Sequence, residues 1–332
     1  EYAITSLFEH VFDETWTFRQ NARYLDSKLD VSGVYGLAFD PSTNELSRGY
    51  YARDDSLRAF NIDNQAIAKF NTGTVRHTLL LGLDYQNLDA RDIGISGAIG
   101  SINIYAPVYG QTVSLDPPYS DLDIEQWQTG LYAQDQIKLT RNWILSLGGR
   151  YDWAESSIDS IDHYNNNLKT TSTQKDEAFT GRVGLVYKSD FGLAPYVGYS
   201  ESFLPVAGAD SITGTPFAPE TGQQYEAGIK YQPPGMKSFV TAAIFDLTRQ
   251  NHTTQTDLFQ TSQTGETNSR GIELSAKASL AEGLDLVASF TTFDIEITES
   301  VRPEEIGKEP LQTPDTMASL WADYTFPYGP LQ

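Results

Sequence analysis

The sequence predicts an all-β chain whose antiparallel strands cross a membrane as part of a β-barrel. Three observations carry this expectation. Apolar side chains recur at every second position, the pattern of strands with two unlike faces. Short turns and long polar segments alternate without exception along the chain. Aromatic residues cluster beside the short turns, as rings held at one interfacial depth would.

The elements follow in order. Tyr2–Val11 enters a short turn at Asp13-Glu14, and a long polar loop is expected near Asp26–Asp55. After the turn at Asn71–Gly73, Val75, Leu79, Leu81, Leu83 and Tyr85 alternate with Arg76, Thr78, Asp84 and Gln86, giving a strand with one apolar face. A second long loop is expected near Ala90–Asp123. Leu131, Ala133, Ile137 and Leu139 form the next apolar face, followed by the turn Thr140–Asn142 and by Trp143, Leu145, Leu147, Tyr151 and Trp153. Long loops near Glu155–Glu177, Leu204–Gly222, Gln250–Glu266 and Glu296–Pro314 then alternate with short turns at Ser189–Gly192, Pro233–Gly235 and Ala281–Gly283. Tyr225–Tyr231 and Ile272–Leu280 repeat the alternation, and Met317–Phe326 closes the series before a turn-like Pro327-Tyr328-Gly329-Pro330. The ring girdle comprises Phe12, Trp16, Phe70, Trp143, Phe191, Phe239, Phe326 and Tyr328. Short turns on the periplasmic side and long extracellular loops explain why every long connection falls at the same end of its hairpin.

Composition narrows the function. The 332 residues carry 44 acidic against 23 basic side chains, a formal charge of −21, which argues against nucleic acid as a partner. Hydrophobic residues make up 39% and charged residues 20%, too apolar a balance for a disordered tail. No run approaches the roughly 18–20 apolar residues of a membrane-spanning helix. Without cysteine there are no disulfides, thiolate metal sites or cysteine nucleophiles. The chain begins at Glu1, without a basic segment and apolar core, so the natural start is expected upstream. About 13 strands are counted, whereas single-chain bacterial barrels close with an even number, so further strands are expected beyond both ends.

Six segments resemble the barrel of TonB-dependent outer-membrane siderophore receptors, and among them the ferric hydroxamate (ferrichrome-type) receptors. They are Thr129-Gly130-Leu131-Tyr132-Ala133-Gln134-Asp135-Gln136, Leu147-Gly148-Gly149-Arg150-Tyr151-Asp152-Trp153, and Pro195-Tyr196 through Ser200-Glu201-Ser202-Phe203-Leu204-Pro205. The others are Gln224-Tyr225-Glu226-Ala227-Gly228-Ile229-Lys230-Tyr231, Gly265-Glu266 with Ser269-Arg270-Gly271-Ile272-Glu273, and Met317 through Phe326. The resemblance implies a barrel of about 22 strands, of which residues 1–332 would supply about 13. It also implies a plug domain and a TonB-contact segment outside this chain. The expected partners are a ferric siderophore, the TonB–ExbB–ExbD complex through the N-terminal region, and outer-membrane lipid with lipopolysaccharide around a monomer. No catalysis and no resident cofactor are expected, since the ferric siderophore is cargo.

A ferric hydroxamate presents an apolar periphery and metal-bound oxygens, so its pocket needs rigid aromatic rings and hydrogen-bond donors. The resemblance places a ligand-contacting tyrosine at Tyr35, with Leu37 where a second would stand. Tyr50, Tyr51, Tyr105 and Tyr109 are further candidates in the expected loops. His10, His77, His163 and His252 read as structural, and Asp116, Asp121, Asp123 and Glu125 as a solvated acidic surface. Asp135, Glu226 and Glu273 are expected to point inward, facing Arg150, Arg182, Lys230 and Arg270 across the lumen. Gly94, Gly97 and Gly100 fall in a polar loop without phosphate-binding spacing, and no nucleophile elbow occurs. Competing classes are an open diffusion porin, a receptor of the same fold for another metal chelate or cobalamin, and an outer-membrane hydrolase. The hydrolase would need a converging Ser/His/acid set.

Overall fold

The computed structural model describes residues 1–209, 215–257, 260–263, 265–300, 302–310 and 313–326. The aromatic expected at Tyr328 and the turn at 327–330 lie outside them. One 13-stranded antiparallel sheet runs in chain order through β1 (Tyr2–Val11), β2 (Trp16–Asp40), β3 (Glu45–Thr72), β4 (Val75–Asn103), β5 (Ser114–Lys138), β6 (Trp143–Asp162) and β7 (Leu168–Tyr187). It continues through β8 (Leu193–Leu204), β9 (Glu220–Tyr231), β10 (Phe239–Gln250), β13 (Glu266–Ala281), β14 (Leu284–Glu299) and β15 (Thr316–Tyr324). A side hairpin of β11 (Thr253–Asp257) and β12 (Gln260–Gln263) stands between β10 and β13.

The two faces of the sheet differ in chemistry. On β4 the odd positions present Leu81 and Leu83, 42% and 48% exposed, and the register sets Leu83 beside Leu131, itself 56% exposed. The opposite face carries Asp84, Gln86, Gln128 and Asp152, and there the polar side chains are the buried ones: Gln128 is 7% and Asp152 2% exposed. Side chains converge on the concave side of a curved sheet and diverge on the convex side. The polar face is therefore the inner one and the apolar face meets hydrocarbon. Apolar burial is slight, with only Ala68, Ala154, Phe217, Ala243 and Ile297 buried among the described hydrophobic residues, because lipid takes the place of a packed core.

Short turns close one end of the hairpins. Asp13 Oδ1 accepts the amides of Thr15 and Trp16 at 2.8 and 2.7 Å, and Thr140 Oγ1 accepts those of Asn142 and Trp143. Gly192 adopts φ +94°, and a Cβ there would stand 2.0 Å from the Gln232 carbonyl oxygen, so this turn admits only glycine. Phe12, Trp16, Phe70, Trp143, Phe191 and Phe326 are exposed at this end, as a girdle requires. Phe239 differs: it lies on the inner face with the Lys230 ammonium 4.2 Å from its ring centre.

The opposite end corrects the sequence reading. Three expected long loops are mostly ladder: β2 and β3 pair from Trp16↔Ala68 to Asp40↔Glu45, β4 runs to Asn103, and β6 and β7 pair to Asp162↔Leu168. Gly94, Gly97 and Gly100 accordingly lie in β4, which has 29 residues where about 9–11 suffice to cross a bilayer. Beyond the bilayer both faces meet water, so alternation fades. Backbone N–H and C=O groups still need partners, and the hairpin supplies them.

The β6–β7 tip shows how such extensions are fastened. His163 Nε2 donates to Asp121 Oδ2 at 2.8 Å, and Nδ1 faces Asn167 Oδ1 at 2.7 Å, so both ring nitrogens meet acceptors. Asp121, 9% exposed, also receives Arg91 Nη2 at 3.2 Å, which corrects the expectation of a merely solvated acidic surface there. The Asp121 bond, with help from Asn167 and the nearby charge of Asp162, raises the His163 pKa against the cost of burial. A raised folded pKa gives stabilisation that is complete below the unfolded value of about 6.5 and is lost as pH rises through the folded value. Amide exchange around Asn165–Asn167 is therefore expected to accelerate, beyond its intrinsic pH dependence, between pH 6 and pH 9. His163→Gln should erase the extra acceleration, and equal profiles for both proteins would refute the link.

Candidate functional site

The inner face of β2 to β6 carries three tiers of side chains. At the extracellular end, the register sets Tyr35 opposite Gly49 and Tyr51 opposite Gly33. The two rings lie on one face with centroids 6.2 Å apart and planes at 52°. Tyr50 points to the other face, while Tyr105 and Tyr109 are 79% and 78% exposed in the β4–β5 connection. The structure thus brings Tyr35 and Tyr51 together, leaves the other three candidates apart, and puts Tyr35, Tyr50 and Tyr51 on strands rather than in loops.

Two residues further along β3 on the same face, Arg53 donates to Asp92 Oδ2 at 2.7 Å and Asp55 Oδ2 at 3.2 Å. Ser120 Oγ donates to Asp92 Oδ1 at 3.0 Å, and the Ile93 amide to Asp55 Oδ1 at 3.3 Å. Both oxygens of each carboxylate are thus bonded, and the tier is net negative.

The third tier lies within the membrane-crossing part of the strands. Arg150 holds Asp152 through Nε at 2.7 Å and clamps Asp84 with both terminal nitrogens, Nη2 standing 3.0 Å from Oδ1. Tyr132 donates to Asp63 Oδ1 at 2.6 Å beneath the guanidinium, whose carbon is 5.5 Å from the ring centre. Gln128 donates to Asp152 at 2.7 Å and accepts from Gln86 at 2.6 Å. A Cβ on Gly130 would stand 1.9 Å from Arg150 Nη2, so the guanidinium lies flat on the backbone. A cavity of about 440 Å³ opens beside this network, lined in part by Asp63, Asp84, Tyr132, Arg150, Arg182 and Glu201.

The wall changes at β7. Its ladder to β8 runs only from Arg182↔Ser200 to Val186↔Tyr196, and beyond it the Glu201 carboxylate accepts the Gly181 amide at 2.8 Å and the Tyr199 hydroxyl at 2.6 Å. The chain after β8 folds back over the inner wall. Gln126 Nε2 donates to the Pro205 carbonyl at 3.4 Å and Gln174 Nε2 to that of Phe217, a residue 5% exposed, at 2.7 Å.

Several sequence expectations need correction. Arg150 pairs with Asp84 on β4, reaching past the intervening β5, and with Asp152 on β6 itself, not across the lumen. Arg270 pairs with Asp246 at 2.8 Å on the outer face, where the register aligns it with Ile244 and Ile272. Asp135 also lies on the outer face, opposite Leu79 and Leu147, bonded to His77 at 2.7 Å with Phe70 stacked on the imidazole. Glu226 does face inward, receiving Tyr196 and Gln224. Sequence reading passed over Arg53, Asp55, Asp63, Asp84 and Asp92. The usable signal was parity, because Arg53 and Asp55 follow Tyr51 at steps of two.

An open wall of membrane-crossing strands with a polar, aromatic-studded inner face defines an outer-membrane receptor barrel. The family model "TonB dependent receptor-like, beta-barrel" matches residues 2–332, and the chain belongs to that family of receptors and transporters. It is 38% identical over 98% of its length to the ferrichrome outer membrane transporter/phage receptor of Escherichia coli K12, spanning 46% of that protein. It is 36% identical to the ferrioxamine B receptor of Salmonella typhimurium SL1344, over 98% of this chain and 45% of that protein. The chain thus spans about half the length of the curated relatives it matches. Among solved structures, it superposes on the closed form of the ferric-catecholate import receptor Fiu from E. coli K12 with a TM-score of 0.76 at 19% identity, over 97% of this chain and 51% of that one. That likeness shows the fold alone.

Proposed function

We propose that this chain is the ligand-facing part of the barrel wall of a TonB-dependent receptor that imports a ferric hydroxamate siderophore. The observation that carries the reading is the 38% identity to a ferrichrome transporter along 98% of this chain, joined to two tyrosines on the inner face of the β2–β3 hairpin. In this reading the rings contact the apolar periphery of the complex while the hydroxamates keep the iron, so no protein group needs to ligate the metal. The wall binds and guides without breaking bonds. Energy comes from TonB–ExbB–ExbD through segments outside this chain, and the barrel works as a monomer surrounded by lipid and lipopolysaccharide.

Titration of the complete gene product with ferrichrome and ferrioxamine B tests the reading. Tyr35→Ala is expected to raise Kd about three- to tenfold, the worth of one aromatic contact, with barrel assembly unchanged. An unaltered Kd removes Tyr35 from the site. Equal uptake with and without TonB function would favour an open porin.

A further inference from the structure

We infer that Gly33 and Gly49 are positioning residues that let Tyr51 and Tyr35 lean over the β2–β3 ladder as one two-ring platform. The inference rests on the ligand site proposed above and adds what holds the rings in place.

The arrangement is reciprocal. Each strand gives one tyrosine and one glycine, and each ring covers the glycine of its partner strand. A Cβ on Gly49 would stand 2.6 Å from Tyr35 Cζ and 2.8 Å from its hydroxyl oxygen. On Gly33 it would stand 2.8 Å from Tyr51 Cε1 and 3.0 Å from the hydroxyl oxygen. Neither glycine has a positive φ, so the backbone itself would accept any residue. What excludes a side chain is the ring above.

Leu37, the next odd position of β2, falls in the register shift between Gly36 and Ala38 and is 59% exposed without a ring to offer. The second ring therefore comes from β3. Fixed rings lose little rotamer freedom when a ligand lands on them, so their contact energy goes into slower release. A methyl group under either ring would tip it away from the sheet, leaving its chemistry intact but its face misdirected.

The test uses the complete gene product in outer membranes with ferrichrome as probe, measuring Kd and dissociation rate for Gly33→Ala, Gly49→Ala, Tyr35→Ala, Tyr51→Ala and the doubles G49A/Y35A and G33A/Y51A. Gly36→Ala is the control, since its Cβ lies on the other face, where the nearest atoms belong to the flexible Leu46 side chain, from 3.2 Å, and not to a tyrosine ring. Each single glycine variant over a tyrosine is expected to raise Kd about five- to tenfold through faster dissociation, with Gly36→Ala unchanged. In the doubles the glycine substitution should add nothing, because its only route to the ligand is the ring already removed. A glycine effect that persists without its tyrosine, or wild-type binding by assembled glycine variants, overturns the inference while the site reading stands. Wild-type binding by both tyrosine variants overturns the site reading itself. The two glycines are tested separately, so a folding failure in one leaves the other to decide.

Discussion

Arg150→Ala is expected to lower the stability of the assembled wall by about 3 kcal/mol, the cost of leaving buried carboxylates without their cation. Asp152 is 2% exposed and Asp84 partly buried, and Arg150 supplies the charge-assisted bonds that compensate both. Gln128 would remain on Asp152 but brings no charge. The uncompensated carboxylates would then draw water into the wall. A variant that also carries Asp84→Asn and Asp152→Asn should recover much of the loss, since removing both partners of a buried pair costs far less than removing one. The midpoint of urea unfolding of the folded protein in detergent or lipid measures both. Equal midpoints for Arg150→Ala and the parent would mean that the network adds nothing, and no recovery in the triple variant would assign the effect to lost packing instead.

Leu131→Arg is expected to cost about 2–4 kcal/mol and to lower the amount of protein reaching the membrane. Leu131 is 56% exposed, beside Leu83 and Tyr151 on the outer face, so a guanidinium there would sit in hydrocarbon. Gln136→Arg makes the comparison on the same strand. Its side chain is exposed on the inner face between Thr78 and Ser146, where water solvates a charge, and a change within about 0.5 kcal/mol is expected. Similar effects at both positions would mean that the two faces of β5 see the same medium, which the membrane reading cannot accommodate.

Much of the fold was legible in the sequence because hydrocarbon imposes a strict rule: outward side chains must be apolar, and period two follows. The 13 strands, their order and the short turns at one end follow from that alternation together with Gly, Asp, Asn and Pro at the turns. The same rule explains the failures. Outside the bilayer nothing enforces the alternation, so the upper halves of β2 to β7 read as loops although they are paired. Asp135 and Arg270 misled for a related reason. Each is a charge on an outer face, made tolerable by His77 and Asp246 on the neighbouring strand, and a neighbour across a ladder is invisible to local pattern.

By itself, the sequence determined that this protein is a wall of antiparallel strands with one lipid-facing and one polar side, and its motifs named the family. Side-chain period is a local property, fixed by the pleat of a single strand. Which residues meet is decided by register, and register relates residues as far apart in sequence as Arg76 and Lys138. Only the tertiary structure could therefore bring Tyr35 to Tyr51, lay each ring on a glycine of the other strand, and gather Asp84 and Asp152 around Arg150.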